Sequence, residues 1–213
     1  ITWLAGLNYK PSPDTLVYGK VSTGFKGGGF DSVGDYKPET NTAYEIGWKQ
    51  TFGASRENQF NFSGFYYDYK DLQVSVLLDT NVGGQIFNAG KAKIWGFEAE
   101  GRIELDDNDH FNASFNYLSA DYKELLAQFN VVCVGCGLNG IGDLDPGTPG
   151  VQQPNFRGNR PPFSPKFIIN LGYEHAFDFG SAGTVTARAN STFKSAYFTD
   201  FYNYRDGKQT ALT

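Results

Sequence analysis

Apolar and polar side chains alternate with a period of two along most of this chain, and the cleanest run begins at Asn88. From Ile94 onward one register reads Trp95, Phe97, Ala99, Gly101, Ile103 and Leu105, while the other reads Ile94, Gly96, Glu98, Glu100, Arg102 and Glu104. Successive residues of a strand point to opposite faces, so this is a strand with one apolar or small face and one charged face. Strands of water-soluble sandwiches are typically about five or six residues long. One of about twice that length, apolar on one side and charged on the other, suits a wall between lipid and water.

The same period recurs on both sides of it. Ile1–Lys10 alternates, Pro11–Asp14 turns, and Thr15–Phe25 is a second strand. A glycine-rich stretch, Lys26–Glu39, reads as a mobile loop, because it lacks the spacing and the Lys-Ser/Thr ending of a phosphate loop. Asn41–Phe52 sets Tyr44, Ile46 and Trp48 against Glu45, Gly47 and Lys49, and Asn58–Leu78 is too long for one flat soluble strand. After the run that begins at Asn88, Asp106–Asp109 turns and Phe111–Leu125 alternates again. Residues 126–163 show no period, and Pro165–Phe179 and Thr184–Phe201 complete the set.

The pattern predicts an all-β protein, an antiparallel meander of about eight long strands. Its connections sort by length: 11–14, 53–57, 106–110 and 180–183 are short, whereas 26–40, 79–85 and 126–163 are longer. Alternate connections of a meander lie at the same end, so the tight turns share one end and the longer loops the other. Transmembrane barrels have this asymmetry, with periplasmic turns and larger extracellular loops. Trp3, Tyr44, Trp48, Trp95 and Tyr173 are candidate residues for the aromatic girdles at the two interfaces.

Composition changes the picture in a few respects. The net charge of −5 argues against a nucleic-acid partner. No apolar run is long enough for a membrane helix, which leaves a barrel open because its strands are only half apolar. The 213 residues include no Met and begin inside a strand-like pattern, which reads as a piece of a longer protein or else as a processed product.

Several stretches resemble the barrel of TonB-dependent outer-membrane receptors. They are STGFKGGGF from Ser22, KPETNTAYEIGWK from Lys37, FYYDYKDLQ from Phe65, NAGKAKIWGFEAE from Asn88 and PPFSPK from Pro161. Their order and spacing run over nearly the whole chain. The resemblance implies a 22-stranded barrel plugged by an N-terminal domain. It also implies a Gram-negative outer-membrane location and uptake of a scarce small-molecule ligand such as a ferric siderophore, driven by the TonB complex. On this reading residues 1–213 are a partial barrel domain in which the plug and the final strands are absent. An open curved sheet is the expected form in isolation, although eight strands can also close alone.

Two other functions fit the alternation, a soluble carbohydrate-binding β protein and a passive porin-like barrel. An enzyme is not expected. Glu45, Lys49, Glu98, Glu100, Arg102 and Arg188 read as a wet strand face, and no nucleophile elbow or Ser-His-Asp order appears. Cys133 and Cys136 form a CxxC in the longest loop, for which redox, metal and disulfide roles are conceivable. The βαβ setting of a redox motif is missing. The two histidines, His110 and His175, fall at the turn end, so a small structural disulfide is expected, and no metal or cofactor. Ligand contacts are expected from the long loops and upper lumen, with Phe30, Tyr36, Phe156, Arg157 and Arg160 as candidates.

Overall fold

The computed structural model describes residues 1–31, 34–54, 57–79, 83–125, 156–201, 203 and 208–209. In chain order the strands are β1 (Leu4–Ser12), β2 (Thr15–Lys26), β3 (Gly29–Phe30), β4 (Asp35–Tyr36), β5 (Glu39–Phe52) and β6 (Asn58–Asp79). They continue with β7 (Gly83–Glu104), β8 (Asp109–Leu125), β9 (Phe167–Asp178), β10 (Thr184–Lys194), β11 (Tyr197–Phe198) and β12 (Lys208–Gln209). The eight long strands form one antiparallel sheet in the order β1-β2-β5-β6-β7-β8-β9-β10. Every neighbour in the sheet is also the neighbour in sequence among the long strands, which is the expected meander. β1 and β10 are its two edges, so the sheet is open.

Residues that pair across antiparallel strands share a face, and the registers therefore trace each face through the sheet. One row runs Leu7, Gly19, Ile46, Gly64, Phe97, Tyr117, Phe167. The next rows add Val17, Trp48, Phe62, Ala99, Phe115 and Ile169. This apolar face is unpartnered: Leu7 is 84% exposed and Ile46 66%. Trp48 meets Phe60 edge-on at 5.6 Å, and Phe97 meets Tyr117 at 5.4 Å. The opposite face carries Glu45, Lys49, Glu98, Glu100, Arg102 and Arg188 together, as the alternation predicts.

The tight turns use local chemistry. Asp106 Oδ1 accepts the amides of Asn108 (2.8 Å) and Asp109 (2.9 Å), closing the β7–β8 turn. Between β9 and β10 a short 3-10 turn spans Gly180–Ala182, with Gly180 at φ 61° and Gly183 at φ 106°.

The β6–β7 connection departs from expectation. Instead of a loop over 79–85, each strand continues for 22 residues and leaves 80–82 between them, outside the described residues. The length at this position is in the strands. The registers shift between Tyr69 and Leu72 and again between Leu72 and Gln73, with Asp71 at φ 53° and Gly90 at φ 141°. A bulge here lets so long a ribbon bend, and an aspartate tolerates the left-handed conformation better than most residues.

Candidate binding site at the long-loop end

The polar face is built on short cross-strand contacts. Tyr18 lies over Gly47, where a Cβ would come within 2.3 Å of its ring, and its hydroxyl donates to Glu45 Oε1 at 2.8 Å. Lys20 Nζ reaches the other Glu45 oxygen at 2.8 Å. Asn61 donates to Glu100 at 2.7 Å, and Thr192 to Asn170 at 2.8 Å, which in turn donates to Ser114 at 2.9 Å. These contacts zip neighbouring strands together around an open polar groove of about 320 Å³ lined by Tyr18, Glu45, Lys49, Asn61, Glu98 and Glu100, so the face is a hydrated wall.

Toward the long-loop end the wall turns apolar. Ala92, Ala120, Tyr122 and Leu125 are buried there, on the same face as the polar residues below. Residues 156–166 run back along β8: the Phe156 amide donates to the Leu125 carbonyl (2.9 Å), and that of Gly158 to Tyr122 (2.8 Å). Gly158, at φ 88°, allows that turn. Phe156 then stacks edge-on against Phe201 at 5.6 Å. A cavity of about 470 Å³ opens beside them, lined by Tyr69, Leu72, Val74, Ile94, Tyr122, Pro161 and Phe201, with Lys26 and Glu39 at its charged side. An apolar basin with a few polar groups is the usual form of a small-molecule site.

The five candidates occupy different positions. Phe156 is 1% exposed and packs the wall. The Arg160 guanidinium donates to the Ser164 carbonyl and, at 3.5 Å, to that of Ala196, over the Phe198 ring. Burial draws its pKa below the usual arginine value. Its backbone is gripped by Asn203, through the Arg160 amide (2.7 Å) and carbonyl (2.9 Å). Phe156 and Arg160 thus hold the returning segment in place. Tyr36 packs against Gly29, while Phe30 and Arg157 are exposed. The five do not converge on one pocket. Cys133 and Cys136 lie outside the described residues.

The periodicity does not reveal the fastening of the glycine-rich loop. Asn88 Oδ1 accepts the Lys37 amide at 2.6 Å, and its Nδ2 donates to the carbonyls of Lys37 (2.9 Å) and Asp71 (2.7 Å). Gln73 donates to the Gly27 carbonyl (2.8 Å) and the Lys37 carbonyl (3.0 Å), and Asp31 Oδ2 accepts the Ile86 amide (2.7 Å). The loop read as mobile is therefore stapled to the β6–β7 bulge. A signal was present in the Asn88-Ala-Gly90 stretch, because glycine permits the bulge and asparagine pairs with backbone on both sides. Asn88→Ala is expected to speed hydrogen exchange of the Lys37 amide in the full-length protein by about tenfold or more, since each hydrogen bond contributes roughly 1 kcal/mol. Asn88→Asp, which keeps the acceptor, is expected to fall between; unchanged exchange in both would show that the staple does not hold the loop.

A long-stranded meander with one apolar face, one hydrated face and a basin at the long-loop end defines a section of membrane β-barrel wall. The pattern of the TonB dependent receptor-like β-barrel family matches residues 1–211, and the chain belongs to that family. Its members are outer-membrane β-barrels.

Solved structures agree in fold. The ferric yersiniabactin uptake receptor of Yersinia pestis superposes with a TM-score of 0.70 at 20% identity, covering 99% of this chain and 28% of that one. A siderophore receptor of Acinetobacter baumannii gives 0.67 at 19%, with the same coverage. The ferric-catecholate import receptor of E. coli K12 gives 0.61 at 13%, covering 99% and 27%. The chain thus spans little more than a quarter of the length of these receptors.

Proposed function

We propose that this chain is part of the wall of an energy-coupled outer-membrane receptor that takes up a scarce small-molecule ligand such as a ferric siderophore. The family match over residues 1–211 carries the reading, and receptors named for ferric siderophores share the fold. On this reading residues 1–213 are a partial barrel domain. A plug, the closing strands and the segment that engages the TonB complex belong to the rest of the protein. The apolar face meets outer-membrane lipid and the polar face lines the lumen. Exposed Phe30 and Arg157, with Tyr36, reach the ligand from the loops, and Phe156 and Arg160 shape the basin. The role is transport rather than catalysis.

The test is uptake by cells that carry or lack the full-length gene, grown under iron limitation with radiolabelled ferric siderophores. Accumulation that needs the gene and stops with a protonophore is expected. Uptake indifferent to the protonophore would indicate a passive pore, and a protein recovered in the soluble fraction would sink the membrane reading altogether. The Cys133–Cys136 disulfide has its own check. The unreduced full-length protein is expected to resist thiol labelling at both positions, and two reactive thiols would refute the bond.

A further inference from the structure

The outer face carries charge in two places only among the described strand residues. One is the turn end, at Asp109, which bonds His175 (2.7 Å) and Tyr173. The other is a cluster on three adjacent strands just beyond the aromatic residues of the long-loop end. Along β6 the outward residues run Tyr66, Asp68, Lys70; along β7, toward the loops, Trp95, Lys93, Lys91; along β8, Ser119, Asp121, Lys123 and Glu124. Asp68 pairs with Lys93, Lys93 with Asp121, and Lys91 with Glu124, so these residues share one patch. Lys70 and Lys93 are exposed, and the Lys93 ammonium sits 5.9 Å from the Tyr66 ring. On the neighbouring strands the matching outward positions are Thr23, Phe25, Thr40 and Thr42, without charge. A rim that merely needed to be wet would not confine its charges to three strands.

We infer that this patch binds the phosphorylated saccharide headgroup of an outer-leaflet glycolipid, with Lys70, Lys93 and Lys123 as the phosphate-binding cations. The inference rests on the outer-membrane reading above. Position is the first argument: the patch lies directly beyond Tyr66, Trp95 and Tyr117, where the apolar band gives way to headgroups. The second is exchange. The Lys123–Asp121 contact (4.0 Å) joins side chains 45% and 38% exposed, and such a pair holds weakly. A phosphate monoester brings nearly two charges and three acceptor oxygens, so it displaces a single carboxylate from a lysine. The three acids keep the patch from attracting every anion equally.

The experiment uses the full-length receptor, folded into vesicles of phosphatidylethanolamine doped with diphosphoryl lipid A, with its dephosphorylated form, or with phosphatidylglycerol. Lipid retained per protein after affinity purification is read by mass spectrometry. Wild type should retain the diphosphoryl glycolipid above the other two, and Lys70→Gln, Lys93→Gln and Lys123→Gln should each lower that retention by about fivefold. Asp68→Asn with Asp121→Asn should raise it, which guards against a lysine variant that merely folds badly. Equal retention by wild type and the lysine variants, or of phosphorylated and dephosphorylated glycolipid, would overturn the inference while leaving the receptor reading intact. Phosphatidylglycerol held as well as the glycolipid would reassign the patch to phospholipid and overturn it too. A wild-type protein that does not insert at all would sink both readings.

Discussion

Ala99→Arg lowers the stability of the assembled full-length barrel by about 2–4 kcal/mol, whereas Glu100→Arg costs less than roughly 1 kcal/mol. The two residues are neighbours in β7 and point to opposite faces. Ala99 pairs with Phe62 and Phe115 in the middle of the apolar row, so on the receptor reading proposed above arginine there is placed in hydrocarbon. Glu100 pairs with Asn61 and Ser114 on the hydrated face, where its carboxylate accepts one hydrogen bond from Asn61 at 2.7 Å. Arginine loses that bond but stays in water. Denaturant titration in lipid vesicles reads both variants. Equal losses would mean that the two faces are not lipid and lumen.

Gly90→Ala carries the second large effect. A Cβ at Gly90 would stand 1.9 Å from the Glu124 carbonyl oxygen and 2.4 Å from its carbon, both backbone atoms with no freedom to step aside. Its φ of 141° adds a conformational cost of order 1–3 kcal/mol for any residue with a side chain. Together these should unseat the bulge and part β7 from the end of β8. Gly101→Ala is the control, since a Cβ there finds its nearest atom at 3.8 Å. The expected result is a lower thermal midpoint for Gly90→Ala and an unchanged one for Gly101→Ala. Similar midpoints would show that β7 can shift at the bulge without cost.

The wall was legible in the sequence because period-two alternation is a local property that burial on one side enforces. Trp95, Phe97, Ala99 against Glu98, Glu100, Arg102 assigns each side chain to a face without knowledge of any partner strand. The mouth was not legible for the opposite reason. The Asn88–Lys37 pairing joins residues 51 positions apart, and the Arg160–Asn203 pairing joins residues 43 apart, with no period to announce either. The 79–85 stretch misled because Gly83 and Gly84 read as turn residues, although both lie in the β6–β7 ladder. Phe156 and Arg160 are ligand candidates by residue type, and in the structure they also hold the returning segment. Aromatic and guanidinium groups serve equally well to pack and tie down a returning segment, and sequence does not separate the two uses.

Unequal strand length has a consequence for how the molecule opens. Beyond Lys70, which pairs with Thr40 at the end of β5, the continuing β6 loses that neighbour and its backbone pairs only with β7. On the other side β7 pairs with β8 no further than Gly90. Leu72–Asp79 and Gly83–Gly90 therefore form a two-stranded ribbon, which is marginal on its own in water. Its anchors are the Asn88, Gln73 and Asp31 bonds to the glycine-rich loop. Ribbon and loop thus make one cooperative unit that can detach and reclose while the ladder below stays intact. Amides such as those of Val74 and Ile86 should exchange with solvent together, and well before those of Phe62 and Phe97.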